Sequence, residues 1–142
     1  MTVAVNRYAG VDLYMQEEIH RIVRDRTGAG KMFDRQIDAW WLGLCIGVRE
    51  GERISLTPDT RTVKFIDGTV LGSDPWRITH LELLALATEG DRALEQPRRV
   101  MGIAMEYANF GLEWLRDECL LKVEPTLSLL NRLDLSRLFK DS

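Results

Sequence analysis

Few residues in this chain have the types and spacing for chemistry. Asp25-Arg26-Thr27-Gly28-Ala29-Gly30-Lys31-Met32 contains a Gly-Lys step like that of a phosphate-binding loop. Such a loop needs a glycine where Asp25 stands, and a Ser or Thr to ligate magnesium where Met32 stands. The segment also follows an apparent helix rather than a strand. His20 and His80 are the only histidines, and neither has Cys or His company at metal-ligand spacing. His80-x-Glu82 lacks the Pro-Cys-x-x-Cys that would complete a zinc deaminase site. Glu17-Glu18 and Asp117-Glu118 are acid pairs in sequence, the pattern of solvated helix faces. Cys45 and Cys119 lie among apolar residues without a local His or cation, so both are expected to be buried, unreactive thiols. These residues point to no catalytic residue, metal or cofactor. An enzymatic reading would need a site assembled around Arg77, His80 and Glu82, with no motif behind it.

Binding chemistry is better represented. Fifteen of the 19 basic residues are Arg, whose planar fork suits phosphates and carboxylates. Arg21, Arg24, Arg26, Lys31 and Arg35 form the densest basic stretch, with only Asp25 and Asp34 between them. They are the candidate nucleic-acid contacts, and Arg98-Arg99 could join them in space. Trp40 and Trp41 are adjacent in an unusually apolar segment, so on a helix they point about 100° apart. Covering both takes a broad arc of neighbours. Trp40, Trp41 and Leu44 are the candidate oligomer interface, because aromatic side chains are enriched at binding hot spots.

The elements that must position these residues follow from periodicity. At 142 residues, 45% hydrophobic and 29% charged with a net charge of −3, one globular domain is expected over residues 1–142, neither disordered nor plainly basic. Residues 1–10 read as a lead-in. Val11, Met15, Ile19, Ile22 and Val23 mark a first helix to Arg26. A second helix runs from Asp34, a potential N-cap, to Arg49, and Gly51 ends it. Residues 55–75 form an insertion in which Arg61–Ile66, Asp67-Gly68 and Thr69–Gly72 read as a β-hairpin with a type I′ turn. Thr79-x-x-Glu82 has the spacing of a capping box for a third helix closed by Gly90. Pro97 opens a long fourth helix to about Lys122, with Gly102 and Gly111 inside it suggesting close backbone contact. Pro125 opens an extra C-terminal helix, residues 125–139, carrying Leu127, Leu130, Leu133 and Leu138. The fold class is mainly α, a compact bundle of about five helices with a β-hairpin insertion between the second and third. The start of the chain has no secretory pattern, and the longest apolar stretch is about half the ~20 residues of a membrane span. A cytoplasmic protein without membrane contact is expected.

One order of features is family-like. An apolar helix ends in Gly43-Leu44-Cys45-Ile46-Gly47-Val48-Arg49-Glu50-Gly51-Glu52-Arg53. The extended segment Ile66-Asp67-Gly68-Thr69-Val70-Leu71-Gly72 follows, then a Leu-rich helix. A long helix carries Tyr107-Ala108-Asn109-Phe110-Gly111-Leu112-Glu113-Trp114-Leu115. Over residues 12–117 this resembles the small helical DndE proteins and related Dnd-associated proteins of bacterial DNA phosphorothioation systems. The resemblance implies a non-catalytic accessory subunit that forms homo-oligomers. It would act beside sulfur-transfer and ATPase components or other defence-system subunits, and bind double-stranded or nicked DNA through a basic surface. No catalytic residue carries over. This chain departs from that pattern in having four lysines and a net negative charge, which favours the alternative of a protein-interaction or regulatory subunit without nucleic-acid contact.

Overall fold

Two helices, Gln36–Glu50 and Pro97–Leu115, cross at glycines, and that crossing sets the centre of the fold. The structure is a computed structural model and describes residues 6–133. Among these are five α-helices and a two-stranded antiparallel sheet: β1 (Asp12–Gln16), α1 (Glu17–Asp25), α2 (Gln36–Glu50), β2 (Thr62–Asp67), α3 (Pro75–Glu89), α4 (Pro97–Leu115) and α5 (Pro125–Leu133). No helix among them is long and apolar enough to cross a membrane.

At the crossing, a Cβ added to Gly111 of α4 would lie 1.6 Å from the Gly43 carbonyl oxygen of α2. One added to Gly47 would lie 2.1 Å from the Tyr107 carbonyl oxygen. Only glycine lets the two backbones come this close. Trp40, Ile46, Val100, Ile103, Ala104, Ala108 and Leu112 fill the space beside the contact and are buried. Asn109 then ties the chain leaving α2 to the same helix: its Nδ2 donates to the Ile54 carbonyl oxygen at 3.1 Å, and the Ile54 N–H donates to the Glu106 carbonyl oxygen at 3.0 Å.

The expected hairpin is corrected. Gly68–Gly72 is a 3-10 turn, not a returning strand, and Asp67 caps it by accepting the Thr69 N–H at 2.9 Å. The partner of β2 is β1, from ahead of the first helix, with Met15 opposite Val63 and Tyr14 opposite Lys64. The helix expected from Val11 therefore starts only at Glu17. Leu13 and Met15 are buried while Tyr14 between them is exposed, the two-residue alternation of a strand. Gly68 does not serve a positive-φ turn. A Cβ there would lie 1.8 Å from the Tyr8 carbonyl oxygen, so close packing requires it.

Helix starts also differ from expectation. Arg35, not Asp34, occupies the N-cap position of α2, where its N–H donates to Asp38 Oδ2 at 3.1 Å. Asp74 precedes α3, and Pro75 opens it with the fixed φ that suits a first helical residue. Thr79 is therefore interior to the helix. Glu82, its supposed capping partner, accepts the Tyr8 hydroxyl at 2.8 Å and pairs with Arg7, which fastens the start of the described chain onto α3. Burial first, then this bond to Glu82, pushes the Tyr8 hydroxyl well above its ordinary pKa. Helix α4 gives way at Arg116–Leu120 to one π-helical turn. Pro125 opens α5 as expected, while Leu138 lies outside the described residues.

Candidate functional site

Helices α2 and α3 both belong to the layer around α4 without closing on each other, and the gap between them is a groove of about 530 Å³. Trp41, Leu44, Cys45 and Val48 line it from α2. Trp76, His80, Leu83 and Leu84 line it from α3. The lining is apolar because α2 carries apolar residues around most of its circumference, more than α4 alone can cover.

One end of the groove is built around a buried arginine. Arg77 is 5% exposed, and its guanidinium carbon sits 4.9 Å from the Trp41 ring centroid and 4.7 Å from that of Trp76. Its Nη2 donates to Asp38 Oδ1 at 3.0 Å, and its Nε lies 3.4 Å from Asp74 Oδ2. Arg35 approaches the same Asp74 oxygen at 3.1 Å. Two arginines and two aspartates thus neutralise one another and fix the start of α3 against the start of α2. Trp41 and Trp76 meet edge to face at 5.4 Å, and His80 completes the aromatic cluster at 5.9 Å from Trp76.

The outer face of α3 carries almost no charge. Its exposed positions are Pro75, Trp76, Thr79, His80, Leu83, Leu86, Ala87 and, at the last residue, Glu89. Arg77 is turned inward and Glu82 is held by Tyr8. Glu89 joins a second neutral cluster with Arg99, Arg53 and Glu106. Arg99 in particular holds the Glu89 carboxyl below its usual range.

The five candidate nucleic-acid contacts are not gathered into one site. Arg26 turns inward and donates to the Leu120 carbonyl oxygen at 2.6 Å. Arg35 is committed to Asp38 and Asp74. Arg21, Arg24 and Lys31 are exposed and make no ion pair among the described residues. Arg21 shares a shallow polar depression with Arg61, and Lys31 lies in another with Asp25 and Thr126. Arg98 opens beside Asp12 and Tyr14, and Arg99 is bonded to Glu89, so neither shares a depression with the loop bases.

The expected interface residues separate as well. Trp40 is fully buried against Trp41 and Phe65 and belongs to the core, not to a surface. Leu44 is buried but reaches the groove, and Trp41 lines it partly buried. Cys119 is buried as expected. Cys45 is not: it faces outward from α2 along the groove. Partial burial pushes its thiol pKa up, with nearby Arg77 opposing, so the thiol stays protonated and weakly nucleophilic. His80 and Glu82 are two residues apart on α3 and serve different sides of it, His80 the groove and Glu82 Tyr8. His20 pairs with Gln36 at 2.9 Å. Among the described residues, no cluster of three or more His, Cys, Asp or Glu is arranged to hold a metal ion.

Val48, Trp76, Leu83 and Leu86, the most exposed apolar side chains in and beside the groove, are not among the site residues expected from sequence. A signal existed: with Arg77 and Glu82 set aside, one face of α3 reads Trp-Thr-His-Leu-Leu-Ala over three turns. No protein-family model matches the chain, and no curated protein or solved structure matches it either.

Proposed function

We propose that this chain is a non-catalytic accessory subunit of a bacterial DNA-modification system of the phosphorothioation kind, or of an antiphage defence system, and that it works as a homo-oligomer binding DNA or a partner protein. The observation that carries the binding reading is the α2–α3 groove. It is a preformed apolar surface with half-exposed Trp76 and Leu83, and among the described residues no hydrogen bond joins its ionisable lining groups, Cys45, Arg49 and His80, to one another. The DNA part rests on the DndE-like segments and on the exposed Arg21, Arg24 and Lys31.

A second reading, a protein-interaction subunit without nucleic-acid contact, is favoured by the internal commitment of Arg26 and Arg35. Gel shifts with duplex, nicked and single-stranded DNA at two salt concentrations separate the two. The first reading expects a shift at low salt that an Arg21→Glu/Arg24→Glu variant weakens. No shift with any DNA at low salt removes the DNA part and leaves the second reading.

A further inference from the structure

We infer that the occupant of the α2–α3 groove is a second copy of this chain, packed about a two-fold axis that passes near Leu83, with the α3 helices antiparallel. This rests on the homo-oligomeric reading above and names the surface and the residues that make the contact.

Three features of the face select a copy of itself. A two-fold contact sets the same patch against itself, so a patch with net charge would meet like net charge. Here the exposed stripe of α3 is uncharged from Trp76 to Ala87. The ionic clusters at its two ends are each internally neutral: Arg35 and Arg77 with Asp38 and Asp74, Arg53 and Arg99 with Glu89 and Glu106. Arg49 at the rim is paired with Glu50 at 2.8 Å, so the rim too carries no net charge to steer a differently charged partner. Second, Trp76, His80, Leu83 and Ala87 recur at intervals of four, three and four, the seam spacing of packed helices. Third, ridge and recess belong to the same patch. Leu83 stands 56% exposed at the edge of the groove that a partner's Leu83 would enter.

The area is of the right order. Trp76, Leu83, Leu86 and Val48 are each 42–56% exposed. Together they offer on the order of 300 Å² of apolar surface per protomer. That is enough for the apolar centre of an interface of about 800 Å² per partner, with Thr79, His80 and Arg49 at its rim.

Light scattering and sedimentation equilibrium on the full chain test this with charge-swapped variants. Wild type is expected at a multiple of 16.3 kDa. Leu83→Glu and Leu83→Lys, each checked for unchanged helical circular dichroism, place like charges across the axis. Each should weaken association by more than about 100-fold. An equimolar mixture of the two variants should recover association at low salt and lose it again at high salt, because opposite charges then face each other. A multimer indifferent to both substitutions overturns this interface while leaving homo-oligomerisation standing. Two variants that dissociate but do not recover on mixing put Leu83 off the axis and overturn this placement of the two-fold. A wild type that stays at 16.3 kDa at every concentration removes both this inference and the oligomeric reading.

Discussion

Arg77 is the side chain on which the geometry of the groove depends. Its charge is balanced by Asp38 and Asp74 and its guanidinium lies close to the rings of Trp41 and Trp76, while Nε and Nη1 make no hydrogen bond among the described residues. A buried ion pair is weak evidence for net stability, but removing one partner leaves the others uncompensated. Asp38 and Asp74 retain 31% and 20% side-chain exposure, so water recovers part of that loss. Arg77→Ala is therefore expected to cost about 2–4 kcal/mol, below the upper end for a fully buried pair. Arg77→Lys keeps the charge but loses the planar fork and the stacking on two indoles, and should fall between wild type and Ala. Urea midpoints for the three proteins check the order. A Lys variant as stable as wild type would reduce the role of Arg77 to its charge alone.

At the scale of elements, the α2–α4 crossing separates glycines that look alike in sequence. Gly102 and Gly111 both lie inside α4. The nearest atom to a Cβ on Gly102 is the flexible Arg99 Nη1 at 3.7 Å, whereas Gly111 abuts the α2 backbone. Gly102→Ala should stabilise by up to about 1 kcal/mol, the ordinary helix-interior gain. Gly111→Ala must push the helices apart and should cost roughly 3 kcal/mol or more. Thermal melts of the pair read the opposite signs directly. The same crossing shows what was legible beforehand. The helical stretches and the glycine breaks between them follow from residue types, whereas Gly43, Gly47 and Gly111 are there for close approach. The β1–β2 pairing was not legible. Val11, Met15 and Ile19 fit a helical period, and Leu13 and Met15 fit a strand equally well. Only Val63 and Ile66, some fifty residues away, decide between the two. The groove was hidden for a related reason. Sequence shows that α2 is too apolar to be left uncovered, but not that Trp40 is buried against Phe65 of β2 while Trp41 and Val48 are left facing α3.

For the whole molecule, the DNA part of the proposal has to be squared with a net charge of −3. Affinity for duplex depends on phosphates neutralised and counterions released, not on net charge, and the logarithm of the binding constant falls with that of salt at about 0.9 per phosphate. One protomer offers Arg21, Arg24 and Lys31 outside any ion pair among the described residues. If all three reach phosphates of one duplex, the slope is about −3, which gives only weak, salt-sensitive binding. Two protomers joined through α3 double the number if both sets reach the same duplex, and the slope then steepens to about −5. Removing two of the three bases from each protomer, with Arg21→Ala/Arg24→Ala, should flatten the slope of the dimer by close to 4. It should leave the mass unchanged, because neither residue lies on the groove. Leu83→Glu should shallow the slope to the single-protomer value without touching a base. Titrations of labelled duplex over a tenfold range of salt measure all three slopes. A double variant with the wild-type slope would place the phosphate contacts on other bases, of which Arg61, beside Arg21, is the nearest candidate.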